Sequence, residues 1–157
     1  MMRRLIVLIS ISVLVLTVSC GYRFVDPFPG KGYALGEVRN VTSEPGLDRI
    51  LTQGFRDFGS FDQDSEYRLT VVVTRFEETV AAISSGGVPI RQSLRMEVSW
   101  KVQGYRESEG IFGREVATKT YPYSDDLAIL DWNRSAALRL LANEAAEQVL
   151  GRLGATP

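Results

Sequence analysis

Apolar and polar positions alternate most cleanly between Leu94 and Gln103. Leu94, Met96, Val98, Trp100 and Val102 alternate with Arg95, Glu97, Ser99, Lys101 and Gln103. A period of two predicts a strand with one buried face. Tyr67 to Phe76 shows the same habit: Leu69, Val71 and Val73 point one way, Arg68, Thr70 and Thr74 mostly the other. Ile111 to Tyr121 and the shorter Tyr33 to Val38 read as two further strands. The period changes at Leu47, Ile50, Leu51, Phe55 and Phe58, which make one helical stripe opposite Asp48, Arg49, Gln53, Arg56 and Asp57. A second stripe, Leu138, Leu141, Ala142, Ala145, Val149 and Leu153, predicts a final helix ended by Gly154.

The predicted order is strand, helix, three strands, helix (βαβββα). Two amphipathic helices and strands with one apolar face make an α+β two-layer sandwich: a four-stranded mixed sheet with both helices on one face. The short connections make the last three strands an antiparallel meander. The other sheet face, with Arg95, Glu97, Ser99, Lys101 and Gln103, would stay polar and uncovered. Such a face is either solvated or a docking surface.

Local signals refine this outline. Ser43 is a candidate cap for the first helix, Pro45 suits its first turn, and Gly59 ends it. Gly54 lies on or beside the helical stripe and costs up to ~1 kcal/mol against Ala. A close approach of the helix to the sheet would explain it. Gly86-Gly87-Val88-Pro89 breaks the chain, Tyr105 to Gly110 is a polar turn, and Ser124 to Asp131 leads into the last helix. No internal repeat and no second core are visible, so residues 33–157 form one domain.

The first 32 residues differ in kind. Arg3 and Arg4 precede an apolar run, Leu5 to Val18, and small Ser19 precedes Cys20, the one cysteine in the chain. A helix of about fourteen residues spans roughly 21 Å, short of the ~30 Å hydrocarbon core. Residues 1–19 therefore read as a signal peptide rather than a permanent anchor. A lone cysteine is unusual in an oxidising compartment, but lipoprotein maturation requires one, as the residue that is acylated. Cys20 is the expected lipid attachment site. One acyl chain holds only reversibly, whereas two or more anchor stably. Residues 20–32, with Pro27, Pro29, Gly30 and Gly32, form the expected lipid-anchored tether. By sorting rule, Gly21 after the cysteine favours the outer membrane over the inner one.

Composition narrows the chemistry. Lys and Arg number 18 against 19 Asp and Glu, and losing the leader also loses Arg3 and Arg4. The mature chain is mildly acidic, so no nucleic-acid partner is expected. It contains no histidine. That removes the commonest general base and the commonest metal ligand. With Cys20 acylated, no thiol remains either. No catalytic residue, metal site or cofactor is expected, and Glu77-Glu78 and Asp125-Asp126 read as solvated charges. Arg91, Arg95, Lys101, Arg106 and Lys119 lie on or near the third and fourth strands. If these converge they could meet phosphate or carboxylate headgroups, for which the planar Arg fork suits bidentate contact. Otherwise they belong to an ordinary mixed-charge surface.

Three stretches carry a family resemblance. Cys20-Gly21-Tyr22-Arg23-Phe24 resembles the mature start of the lipopolysaccharide-assembly lipoproteins, the LptE family. Val38-Arg39-Asn40-Val41-Thr42-Ser43-Glu44-Pro45-Gly46-Leu47-Asp48 is similar to that family's entry into its first helix. Ala142-Asn143-Glu144-Ala145-Ala146-Glu147-Gln148-Val149-Leu150 is similar to its last helix. The element order agrees over essentially the whole mature chain. The resemblance implies a two-layer α/β sandwich that plugs the outer-membrane lipopolysaccharide translocon barrel (LptD), assists its assembly and engages lipopolysaccharide. It implies an outer-membrane, lipid-anchored location facing the periplasm or the barrel interior. The family's lipopolysaccharide-contacting residues do not transfer onto this chain; Arg91, Arg95 and Lys119 are candidates read from the residues. Two alternatives stay open: a lipoprotein pilot or accessory subunit of another outer-membrane complex such as a secretion pore, and a lipid-tethered periplasmic hydrolase, which a Ser-Lys or carboxylate pair in a pocket would mark.

Overall fold

A computed structural model describes residues 32–104 and 110–154. The expected signal peptide (1–19), most of the expected tether with the candidate lipid site Cys20, and all but the end of the Tyr105–Gly110 turn lie outside the described residues. The elements are β1 Ala34–Asn40, α1 Leu47–Phe58, β2 Tyr67–Ile83, β3 Pro89–Gly104, β4 Ile111–Pro122 and α2 Leu127–Leu153. The sheet order is β1-β2-β3-β4. β1 pairs parallel with β2, and the other two pairings are antiparallel. A parallel neighbour needs a crossover connection, and α1 supplies it. This is the expected mixed four-stranded sheet in βαβββα order.

The sheet buries one face under both helices. Leu69, Val71 and Val73 of β2 and Leu94, Met96, Val98 and Val102 of β3 are wholly buried there. Leu51 and Phe55 of α1 and Leu141, Ala145 and Val149 of α2 close over them. The period-two and helical stripes thus meet in a single core. Each such aliphatic side chain contributes ~1.5–3 kcal/mol when taken from water.

Several local expectations are corrected. β2 runs to Ile83, past Phe76, and β3 starts at Pro89, so the Gly86-Gly87 segment is the turn of one long hairpin. Bulges at Val73/Arg75 and near Val80–Ile83 interrupt the alternation and hid the outer half of that hairpin. Ser43 does not cap α1; Gly46 is the N-cap at φ 77, with no side-chain cap, and Pro45 precedes the helix. A positive φ suits glycine, which has no Cβ to clash. α2 begins at Leu127 rather than after Asp131, because the Asp126 carboxylate accepts from the N–H groups of Ala128 and Ile129. Gly154 ends it in the left-handed region, as expected.

Gly54 does mark a close approach, but to α2 rather than to the sheet. A Cβ there would lie 3.1 Å from the Ala142 carbonyl oxygen and 3.1 Å from Asn143 Oδ1. Missing side-chain volume at this point lets the two helices cross closely over the sheet.

Candidate functional site: the open sheet face

Strand parity sets the second face. Thr70 and Val72 of β2 lie beside Lys101 and Ser99 of β3, which lie beside Phe112 and Arg114 of β4. All six are at least partly exposed, and no helix covers them. Together with Gln103 they line an open depression of about 730 Å³. Phe112 is 79% exposed at its edge. The polar character expected from β3 holds, but Val72, Phe112 and Val116 place separate apolar side chains on the same face. The facing of β4 was not legible alone; it follows from the pairing of Lys101 with Phe112 and Glu97 with Val116.

Both carboxylates placed on this face by β2 and β3, Glu77 and Glu97, are paired. Arg114 pairs with Glu97 at 3.3 Å, and Thr74 Oγ1 donates to the Glu97 carbonyl at 3.2 Å. Arg75 pairs with Glu77 at 2.6 Å. Exposed pairs of this kind stabilise by at most ~1 kcal/mol each, so they shape the surface more than they hold the fold.

The three basic candidates do not converge. Arg91 and Arg95 share the open face, exposed, in register with Pro122 and Thr118 of β4. Four residues along a strand separate them by ~13 Å, too far for one phosphate to bridge. Lys119 sits on the helix-covered side, where its ammonium pairs with Glu144 of α2.

A polar cluster that sequence reading missed lies under α2. Arg134 donates to Glu78 at 2.9 Å and pairs with Glu44 at 2.9 Å, while the Tyr121 hydroxyl donates to Glu78. Burial, with the Glu78 hydrogen bond and charge, raises the Tyr121 pKa above its ordinary value. Burial works against the Arg134 cation, but the bonds to Glu78 and Glu44 outweigh it and raise its pKa. Glu77 and Glu78 do face opposite sides, as strand geometry requires, yet Glu78 is a bonded partner rather than a solvated charge. Asp126 likewise serves as a cap. No sequence signal marks the cluster, since its members come from four separate segments.

Among the described residues, no group of His, Cys, Asp and Glu is placed to hold a metal ion. None of their helices is long and apolar enough to cross a membrane. A groove of about 480 Å³ between the helices is lined by Arg49, Ile50, Gln53, Asp57, Arg139 and Asn143 among others, a mixed-charge surface.

No family model matches the sequence, and no curated protein matches it. Solved structures do. A candidate lipoprotein from Caulobacter crescentus superposes with a TM-score of 0.55 at 22% identity, over 74% of this chain and 86% of that one. Rare lipoprotein B from Shewanella oneidensis gives 0.53 at 13% identity, over 77% and 93%. A minor lipoprotein from Acinetobacter baumannii gives 0.52 at 13% identity, over 80% and 92%. What the chain shares with these proteins is the fold.

Proposed function

We propose that this chain is a non-enzymatic outer-membrane lipoprotein of the LptE type. It plugs the lipopolysaccharide translocon barrel, assists its assembly and engages lipopolysaccharide during delivery. The observation that carries this reading is the open sheet face. A barrel lumen is polar, and a plug must present polar groups to it. Thr70, Ser99, Lys101, Gln103 and Arg114 form such a surface on a rigid sheet. The likeness of fold to proteins described as lipoproteins agrees with acylation at Cys20. Arg91 and Arg95, exposed on the same face, remain the candidates for lipopolysaccharide, each meeting a separate anionic group. Lys119, held by Glu144, leaves that set.

Gentle detergent extraction followed by affinity capture tests the proposal. Recovery of a large outer-membrane β-barrel with the chain is the expected result. Recovery as a lone monomer, with normal surface lipopolysaccharide in cells lacking the protein, overturns it.

A further inference from the structure

Exposed apolar side chains gather at one end of the molecule, away from the depression lined by Lys101 and Phe112. Arg134 bonds Glu78, so these points of α2 and β2 stand level. Beyond them β2 continues to Ile83, ~16 Å further. α2 extends ~10 Å toward its start at Leu127. Both run the same way: Pro122 at the end of β4 faces Arg91 in the hairpin, and α2 starts just after it. Ile83, Val88 and Ile90 on the hairpin and Leu127, Ile129 and Trp132 on the helix are all about half exposed or more.

This end has the properties of a surface made for an apolar phase. Thr79 to Ile90 contains no charged residue. The turn closes its own hydrogen bonds: Ser84 N–H donates to the Val88 carbonyl at 2.8 Å, Gly87 N–H to the Ser84 carbonyl at 3.0 Å, and Val88 N–H to Ser84 Oγ at 3.1 Å. These bonds lower the cost of bringing the turn itself against an apolar layer. Charges resume at Glu77, Glu78 and Arg91 on the hairpin. On the helix side stand Asp125, Asp126 and Asp131. The tip outreaches the helix start by ~6 Å, so it can enter about that deep while Asp125 and Asp126 stay at headgroup level and Asp131 stands over a turn further out. Trp132, 71% exposed, lies ~8 Å along the helix from Leu127, and helical side chains lean toward the N-terminus, which carries its amphipathic indole back toward the headgroup layer that favours it.

We propose that the hairpin tip and the first turns of α2 form a lipid-inserting end that dips into the interfacial layer of a phospholipid bilayer. The chain preceding the domain sets its posture. The Tyr33 hydroxyl donates to the Leu153 carbonyl, so the tether enters at the end opposite the tip. β2 is ~53 Å long, while the twelve steps of chain from Cys20 to Gly32 reach at most ~43 Å. When Cys20 and the tip lie at the same depth in one bilayer, the domain leans by about 35° or more from the membrane normal. This inference rests on the hairpin and helix start and is independent of the barrel reading.

The two tryptophans provide the test, because Trp100 is 7% exposed and Trp132 is open. Full-length lipidated protein is reconstituted into phosphatidylcholine–phosphatidylglycerol vesicles with bromine on the acyl chains. The expected result is at least twofold quenching of the Trp132 emission, absent in Trp132→Phe. The double variant Ile83→Asp, Ile90→Asp, with Trp100 emission unchanged to show an intact core, should abolish it. Three results overturn the proposal. Trp132 remains open to acrylamide and untouched by bromolipid. The double variant is quenched as strongly as the parent. Trp132 becomes shielded with rising protein concentration but without bromolipid quenching, which assigns this end to a second copy.

Discussion

Gly54 offers the sharpest test of the helix crossing, because two effects of known size oppose each other there. Replacing a helical glycine by alanine ordinarily stabilises by ~1 kcal/mol, through reduced freedom of the unfolded chain and better helix propensity. At Gly54 the new methyl would meet the Ala142 carbonyl oxygen and Asn143 Oδ1 at 3.1 Å, and the Ala142 carbonyl carbon at 3.3 Å. The Asn143 side chain can rotate away, but the Ala142 backbone moves only if α2 moves. Overpacking of that kind costs ~1–3 kcal/mol. The net expectation for Gly54→Ala runs from no gain to a loss of ~2 kcal/mol. Gly151 supplies the reference, since a Cβ there meets nothing within 4 Å and the position is also helical. Gly151→Ala should gain ~0.5–1 kcal/mol. Urea unfolding followed by Trp100 fluorescence, with equal m values, measures both. A gain at Gly54 matching that at Gly151 would refute the close crossing of the two helices.

Two further predictions follow from the polar groups. The raised Tyr121 pKa means that above pH ~10 the unfolded chain loses a proton that the folded chain keeps, so stability falls with rising pH there. Tyr121→Phe should remove that part of the alkaline slope in pH-dependent urea unfolding; an unchanged slope contradicts the burial argument. Charge reversal at Arg91 and Arg95 should weaken lipopolysaccharide binding by about tenfold, near 1.4 kcal/mol, without unfolding, since both are exposed. Lys119→Gln should leave that affinity unchanged; titration of labelled lipopolysaccharide decides, and equal affinities across all three proteins remove Arg91 and Arg95 from the site.

Legibility in the sequence followed the range of the interactions. The β3 alternation, both helical stripes and the Gly154 stop were visible because each is a periodic or capping signal within a few turns of chain. The single polar sheet face was visible for the same reason, since one strand read correctly implies its own two faces. The outer half of the β2–β3 hairpin was not, because bulges broke the period. The start of α2 was obscured because Leu127, Ile129 and Trp132 overhang the sheet and stand outside the buried stripe.

The remaining features belong to contacts between distant segments. That Arg91 and Arg95 share a face while Lys119 turns under α2 depends on β3–β4 register, which no local pattern encodes. The meeting of Glu44, Glu78, Tyr121 and Arg134 depends on how α2 lies across the sheet. The apolar end exists only because the hairpin and the helix overrun the core in the same direction. Residue order was enough for elements whose side chains answer to their neighbours along the chain. Pairing and packing, which join groups dozens of residues apart, decided which surfaces those elements finally present.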